Sequence, residues 1–411
     1  MKTIALMILA LLSCSVGHSC TLFWASKNEQ ILCAKNMDWF NTDARMLFLP
    51  PEGEKLGRVY IGVESTYGFT NTSGMNEAGL WYGGASLPPR SDVYNTYQKP
   101  EWEYELIEKV MEECTTVEQA LRIFSVFWEP HWNGHSLLAD RFGNCALVYY
   151  GEDDASFIKK KDTYQVITNF YLSDTINMRW HHCHRFERAN SMLDTCQDIS
   201  FSLFRQIADH SHAEGPSHPT VLTTIHDLKM GVIELYYMHN FEELIRINLS
   251  SELKKGKQYI QCSRLFSGIK LMAPLSESEL NSNKVLLEWM GDEEQYLIRY
   301  SEDPTFQTFS EIEYCAVSQE IHYSCINVWI LIFLLPLCLL SNPKISRCIL
   351  FVSICLFASC EPIEIQPQYS STNHSLDIEL AEDTPFYWKV ISVQNEYASE
   401  SLVWTFTTGN K

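Results

Sequence analysis

Cys20 offers the most chemistry in this sequence, because it follows a segment with the features of a cleavable leader. Residues 1–19 begin with a lysine after the first methionine, continue with an unbroken apolar run at 4–12, and end with small residues at 17 and 19. These features predict a secretory signal peptide that is removed after Ser19. Cleavage there makes Cys20 the first residue of the mature chain.

A cysteine in the first position of a chain carries both a nucleophile and a base. Its α-amino group has a pKa near 8, so a large share of it is neutral near pH 7 and can accept a proton. Its thiolate attacks acyl carbons well. The mechanism then needs only groups that orient the amine, favour the thiolate and stabilise the oxyanion.

Two other interpretations of the N-terminal cysteines remain open. Cys20 is equally suited to be half of a disulfide, as is common in secreted chains. The letters "LLSC" at 11–14 loosely match a bacterial lipoprotein box, in which Cys14 would carry a lipid and Cys20 would lack a free α-amine. The fourteen cysteines form no CxxC pair, and their connectivity cannot be read from their spacing.

The composition limits the classes of molecule that this protein is expected to bind. The net charge is -20, which argues against nucleic acid and against non-specific binding to anionic lipid. The histidines lack the spacing of a metal-binding helix, so we expect no metal and no cofactor. The expected partner is a small-molecule substrate, and the sequence does not determine the oligomeric state.

The elements that must position Cys20 lie in residues 20–270. Alternating stretches such as "TLFWA" and "QILCAKNMDW" predict strands, and "GHSLLADRFGNCALVYYG" predicts a hairpin. Apolar residues at helical spacing predict helices within 102–128, and two more helices are predicted around 186–210. Strands, then paired helices, then strands again predict an α+β protein.

Residues 275–411 differ from the preceding residues in their hydrophobic pattern, which is the alternation typical of strands with aromatic anchors. They resemble a fibronectin type III module, a small all-β sandwich in which Trp289 is the core tryptophan and Tyr387 lies on a central strand. We predict that a hydrophobic insertion at about 315–369 interrupts this sandwich.

The insertion contains two apolar runs, 328–340 and 348–358. One interpretation is a hairpin that associates with a membrane through residues 326–360. Each run is shorter than the roughly 18–20 residues that a spanning helix needs. The alternatives are a buried hydrophobic insertion, or a disrupted gene in which this segment is not native to the module.

Four segments in order resemble the choloylglycine hydrolase family, which includes conjugated bile salt hydrolases and penicillin V acylases. The segments are "CTLFWASKNEQILCAKNMDW" from residue 20, "GMNEAGLWYGGASLP" from 74, "VITNF" from 166 and "HRFER" from 184. The resemblance implies a four-layer αββα N-terminal-nucleophile hydrolase core. It also implies an amidase that cleaves a linear, non-peptide C–N bond of an N-acyl compound.

The resemblance also implies roles for particular residues. Cys20 would be the nucleophile and, through its amine, the base, and Asp38 would hold that amine. Asn169 would donate its amide to the oxyanion. Arg185 would lie by the sulfur and favour the thiolate.

Lys35 and Ser86 are supporting candidates at positions where this sequence departs from the family pattern. Lys35 replaces the usual arginine, and Ser86 stands where bile salt hydrolases have asparagine and penicillin acylases have tyrosine. Asn169 and Arg185 are only sixteen residues apart, whereas bile salt hydrolases carry a much longer segment there that helps to build their tetramer. The resemblance therefore does not support bile-salt specificity or tetramer formation.

Six aromatic residues near these motifs are candidates for the substrate pocket, although core packing explains at least half of them equally well. They are Phe23, Trp24, Trp39, Phe69, Trp81 and Tyr82. The sequence thus predicts an exported amidase, either secreted, periplasmic or attached to the envelope. The alternatives are an acyltransferase or dipeptidase on the same core, or a non-catalytic cell-surface binding protein.

Overall fold

The computed structural model describes ten stretches of the chain, and they form a mixed, sheet-rich fold with few helices. The stretches are 20–88, 99–102, 105–129, 134–150, 155–159, 163–172, 183–215, 218–315, 372–392 and 397–410. The predicted leader and nearly all of the predicted insertion lie outside these residues. Within them, none of the helices has the length and apolar character required to span a membrane.

The described strands are numbered β1 to β23 in chain order. They are β1 (Thr21–Lys27), β2 (Gln30–Asp38), β3 (Ala44–Leu49), β4 (Arg58–Ser65), β5 (Gly68–Asn76), β6 (Trp81–Ser86), β7 (Gly134–Ala139), β8 (Cys145–Tyr150), β9 (Ala155–Lys159), β10 (Tyr164–Ile167), β11 (Thr220–Asp227), β12 (Val232–Tyr237), β13 (Glu243–Asn248), β14 (Gln258–Gln261), β15 (Lys270–Ala273), β16 (Ser278–Glu279), β17 (Lys284–Gly291), β18 (Gln295–Ser301), β19 (Ser310–Cys315), β20 (Thr372–Glu379), β21 (Pro385–Ser392), β22 (Ser399–Ser401) and β23 (Trp404–Thr407).

The described helices are short. They are α1 (Leu106–Glu113), α2 (Val117–Val126), α3 (His184–Thr195), α4 (Phe201–His210), α5 (Leu249–Leu253) and a 3-10 turn at Cys262–Leu265. The apolar pattern predicted across 102–128 is divided into α1 and α2, because the backbone becomes extended at Cys114 and Thr116 then begins a new helix. Its side chain accepts a hydrogen bond from the backbone N–H of Gln119, which caps α2.

Two large sheets form the body that begins at Cys20. One has the strand order β10-β1-β2-β11-β12-β13, and the other has the order β14-β3-β4-β5-β6-β7-β8-β9. Their neighbouring strands are antiparallel. Cys20 lies at the start of β1, which pairs with β2 and with the edge strand β10 of the first sheet.

A two-residue turn sets the register of β1 against β2. Asn28 and Glu29 both have positive φ, 48° and 67°, which is the geometry of a tight hairpin turn with right-handed twist. Lys27 therefore pairs with Gln30, and Thr21 pairs with Asn36. This register brings the end of β2 back beside Cys20.

The alternation of side chains along β1 divides the hydrophobic core into layers. Leu22 and Trp24 face a cluster that includes Phe48 and Val59 of the second sheet. Phe23, on the opposite face, packs with residues of α3 and α4. A further cluster joins the outer face of the second sheet to α1 and α2. The helices therefore pack outside the two sheets.

The last third of the described chain is built from strands around a separate apolar cluster. A three-stranded sheet, in the order β15-β17-β20, packs its apolar side chains with those of β18, β21 and β23. Trp289 and Trp388 are fully buried in this cluster, whereas Tyr387 is only partly buried. Pairing of β13 with β22 connects these strands to the first large sheet.

A buried carboxylate lies at this connection. Glu243 Oε1 accepts hydrogen bonds from the backbone N–H of Ser267, at 2.6 Å, and from the hydroxyl of Ser399. Burial nevertheless raises the pKa of Glu243 from 4.5 to about 7. The protonated side chain therefore fits this position better than the charged one.

We expect the stability of the protein to depend on pH through Glu243. Because its folded-state pKa is raised, its contribution is fully present below pH 4.5 and is lost as the pH rises through about 7. The free energy of unfolding, relative to that of Glu243→Gln, should fall by about 3 kcal/mol across this window. Chemical denaturation at a series of pH values measures this difference. Glu279→Gln, on an exposed side chain, is the control, and an equal pH dependence of wild type and Glu243→Gln would contradict the assignment.

Candidate active site

Cys20 is buried at the start of β1, with 4% of its surface exposed, and its thiol is not in a disulfide. Its backbone nitrogen donates a hydrogen bond to Asn169 Oδ1 at 2.8 Å. In the full-length chain this nitrogen belongs to the peptide bond with Ser19. Removal of residues 1–19 would turn the same atom into an α-amine beside the same acceptor.

Asn169 follows β10 and links three parts of the site. Its Oδ1 accepts from Cys20 N and lies 3.4 Å from Arg185 Nη2, and its Nδ2 donates to the backbone carbonyl of Ser86 at 2.9 Å. These partners determine which end of the amide carries the oxygen. One N–H of the Asn169 amide is therefore directed at the backbone carbonyl of Ser86. Donation by the other N–H to an oxyanion stays a prediction.

Asp38 ends β2 and is completely buried. Thr220 of β11 donates its hydroxyl to Asp38 Oδ1, and Arg185 Nη1 lies 3.3 Å from Asp38 Oδ2. The backbone N–H of Asp38 faces the Cys20 thiol and lowers its pKa, while the carboxylate charge raises it. The predicted contact between Asp38 and an α-amine concerns the processed chain and stays a prediction.

Arg185 lies in the first turn of α3, and 20% of its side chain is exposed. Its Nη1 also donates to Thr21 Oγ1 at 2.9 Å. The guanidinium therefore contacts the strand that carries the nucleophile, the carboxylate that ends β2, and Asn169. Of the four residues predicted to be catalytic, all are brought together here, although they span positions 20 to 185.

Lys35 is buried between the two large sheets. Its Nζ donates to the backbone carbonyl of Thr72 at 2.7 Å and to that of Gly84 at 2.9 Å. Burial lowers the pKa of Lys35 from 10.5 to about 8, while the neighbouring thiol and carboxylate act in the opposite direction. Burial raises the pKa of the Cys20 thiol, and Lys35 opposes this more strongly than Arg185 does. Lys35 therefore acts on the thiol together with Arg185, and the predicted role of Arg185 in favouring the thiolate stays a prediction.

A cavity of about 220 Å³ opens from the thiol. Cys20, Lys35 and Ser86 line one part of it, and Ile107 and Phe124 of the outer helices line another. The cavity therefore extends from the space between the sheets toward the helix side of the second sheet.

The six aromatic candidates separate into two groups. Trp39 and Tyr82 line the cavity. Phe23 packs against Phe204, Trp24 and Trp81 lie in the cluster between the sheets, and Phe69 packs edge-on against Tyr259. Alternation along a strand predicts burial but does not distinguish a core wall from a cavity wall.

His135 is a cavity residue that the sequence analysis missed. It is 1% exposed, and its Nε2 lies 2.6 Å from the carbonyl oxygen of Thr168. Because a carbonyl only accepts, Nε2 carries the proton. Burial lowers the pKa of His135 to about 4, so the ring is neutral at pH 7 and Nδ1 is an acceptor. A single histidine in a strand carries no sequence signal for this position.

Two carboxylates at the helix side of the cavity were also missed. Glu105 precedes α1 and accepts from Asn71 Nδ2 at 2.7 Å, and Asn71 accepts in turn from the hydroxyl of Tyr82. Glu129 follows α2, and a backbone N–H of Leu106 donates to it. Partial burial raises the pKa of Glu129 to about 7, and the charge of Glu105 adds to this rise.

Comparison with known proteins finds similarity only among solved structures. No protein-family model and no curated protein sequence matches the chain. A mutant of conjugated bile acid hydrolase from Clostridium perfringens aligns at 15% identity over 59% of this chain and 96% of its own, with a TM-score of 0.49. Penicillin V acylase from Agrobacterium tumefaciens aligns at 18% identity over 59% and 91%, with a TM-score of 0.47.

A third solved structure is a Caenorhabditis elegans ortholog of N-acylethanolamine-hydrolyzing acid amidase. It aligns at 14% identity over 51% of this chain and 93% of its own, with a TM-score of 0.39. The three neighbours are named as a hydrolase, an acylase and an acid amidase. At these identities and scores, the assignment of a function to this chain must come from its own residues.

Replacement of Lys35 tests the electrostatics of the site. Lys35→Gln removes the cation that most strongly lowers the pKa of the Cys20 thiol, so that pKa should rise. Alkylation of Cys20, followed across pH by peptide mass spectrometry, should shift its midpoint upward. Lys159→Gln removes an exposed ammonium that pairs with Glu118 and should leave the profile unchanged. An unchanged profile in Lys35→Gln would show that Lys35 does not act on the sulfur.

Proposed function

We propose that this protein is an amidase of the N-terminal-nucleophile type. It hydrolyses a linear, non-peptide C–N bond of an N-acyl compound, with Cys20 as nucleophile. The observation that carries this proposal is the 2.8 Å hydrogen bond between Cys20 N and Asn169 Oδ1, next to a thiol at the end of a cavity.

The contacts around Cys20 are those that an N-terminal nucleophile requires. One acceptor, Asn169 Oδ1, fixes the direction of an N–H bond, which would leave the lone pair of the processed amine able to take the thiol proton. Lys35 and Arg185 both lower the pKa of the thiol. They offset part of the rise that burial and the charge of Asp38 cause, and the net pKa of the thiol stays above its ordinary value.

The proposed reaction has two stages. The Cys20 sulfur adds to the amide carbonyl while the α-amine takes the proton of the thiol, and the oxyanion is stabilised by nearby N–H groups. Collapse breaks the C–N bond, and the leaving amine receives the proton from the α-ammonium. Water, deprotonated by the same amine, then attacks the thioester, releasing the acid and regenerating the thiol.

The proposal includes the parts of the chain on which the chemistry depends. We infer export with removal of residues 1–19, because only cleavage creates the α-amine. We also infer that the two large sheets with their outer helices form an αββα core. The strands from 275 onward form a fibronectin type III-like sandwich in this proposal, on the support of their separate apolar cluster around Trp289.

The first test replaces the nucleophile. Cys20→Ser should abolish hydrolysis of N-acyl amides, because a serine hydroxyl is a far weaker nucleophile than a thiolate at neutral pH. Liquid chromatography of the released amine measures turnover, and Cys183→Ser, at a half-buried thiol outside the cavity, is the control. N-terminal analysis of the mature wild type should show Cys20 first. Unchanged turnover in Cys20→Ser, or a mature chain that begins at a lipid-bearing Cys14, would refute the mechanism.

The second test concerns Asn169. Asn169→Ala should lower kcat/KM by roughly 100-fold or more, about 3 kcal/mol, if its amide donates to the oxyanion. Asn169→Asp keeps an acceptor for Cys20 N but loses the N–H donor, so it separates the two roles. Recovery of activity in Asn169→Asp would limit Asn169 to holding the nitrogen. Asn410→Ala, at an exposed hydrogen bond to Asp383, is the control for general effects.

A further inference from the structure

The cavity beside Cys20 is rich in hydrogen-bond acceptors at the end away from the thiol. Glu105 and Glu129 both line it, from opposite ends of the helix pair α1–α2. The charge of Glu105 raises the pKa of Glu129, so the two carboxylates are close enough to repel each other. A cation placed between them would relieve that repulsion.

His135 adds a second, independent observation in the same cavity. Its Nε2 is engaged with Thr168, and its Nδ1 is buried and has no hydrogen-bond partner among the described residues. A buried acceptor without a partner costs about 1–3 kcal/mol, and a ligand N–H would satisfy it. The cavity therefore offers acceptors both from its charged end and from its buried wall.

The described lining of the cavity contains more carboxylates than cationic side chains. Lys35 is the one cationic side chain in the described lining, and it donates to two backbone carbonyls. Arg185 lies against Asp38 and does not belong to the described lining. Among the described lining residues, an anionic group would therefore meet two carboxylates and one cation, Lys35.

We propose, on the basis of the amidase function above, that this cavity selects N-acyl amides that carry a protonated amino group and discriminates against those that carry a carboxylate or sulfonate. The ammonium interacts with Glu105 and Glu129, and a donor of the substrate pairs with His135 Nδ1. The cavity volume of about 220 Å³ is below the roughly 300–1,000 Å³ of drug-sized sites, so the linker between amide and ammonium is short.

The ammonium can be carried on either side of the scissile bond, and two substrate series distinguish the sides. One series places hexanoyl on diaminopropane, propylamine or β-alanine. The other places aminohexanoyl, hexanoyl or adipoyl on p-nitroaniline. In the series whose variable part enters the cavity, kcat/KM should be at least about tenfold higher for the cation than for the anion. The other series should show a smaller dependence on charge.

Replacement of both carboxylates by carboxamides tests whether the carboxylates cause the preference for the cationic substrate. The double variant Glu105→Gln, Glu129→Gln should reduce the cation-to-anion ratio of kcat/KM toward one. Glu118→Gln, on the exposed face of α2 and paired with Lys159, should keep the wild-type ratio. His135→Phe should lower kcat/KM for the cation more than for the neutral member, with thermal unfolding as the check on folding.

The outcomes separate this inference from the amidase function. Cys20-dependent hydrolysis with no preference for the cation, or with a preference for the anion, overturns the inference and leaves the amidase in place. If no amide in either series is hydrolysed, the amidase function fails. In that case calorimetric binding to Cys20→Ser decides the inference: tighter binding of the hexanoyl-diaminopropane amide than of the β-alanine amide supports it, and equal binding overturns it.

Discussion

The buried ion pair between Arg185 and Asp38 is the interaction on which the rest of the site depends. Asp38 has no exposed surface, so its charge requires the guanidinium and the hydroxyl of Thr220. Breaking a buried pair by removing one partner typically costs 3–5 kcal/mol, because the other charge is left uncompensated. Through Thr21 and Asn169 the same guanidinium also fixes the surroundings of Cys20. Catalytic geometry and local stability therefore share one set of contacts.

Close approach of the two large sheets gives the nucleophile its cavity. Gly83 of β6 lies so near Leu22 of β1 that an added Cβ would come within 2.4 Å of the leucine side chain. The next residue, Gly84, presents its carbonyl to Lys35. Absence of side chains here lets a strand of the second sheet approach the ammonium and the start of β1. The close packing of this strand against β1 thus shapes the cavity wall and also supplies a carbonyl that holds the Lys35 ammonium near the sulfur.

Lys35 stands where the pattern that this sequence resembles has arginine, and its contacts show how a lysine is held at this position. An arginine fork would bind a planar acceptor with two donors, whereas an ammonium is a compact charge with rotatable donors. Two carbonyls from the second sheet satisfy two of those donors. The charge remains close to the thiol and opposes the effect of burial on its pKa. The substitution therefore keeps a cation at the sulfur and changes how it is held.

The sequence by itself determined the local features, because alternation, helical spacing and turn residues depend on neighbours in the chain. The hairpin of β1 and β2, the helices around 186–210 and the possible role of Cys20 were predicted in this way. Only the tertiary structure decided that Asn169 accepts a hydrogen bond from Cys20 N, and that Lys35 lowers the pKa of the thiol more strongly than Arg185 does. It also decided that His135, Glu105 and Glu129 line the cavity. These contacts join residues far apart in sequence, and their side chains carry the same local signals as ordinary core or surface positions. Trp39 and Tyr82 differ from Trp24 and Trp81 for the same reason: burial follows from the strand pattern, but the packing of the sheets and helices decides which buried side chain faces empty space.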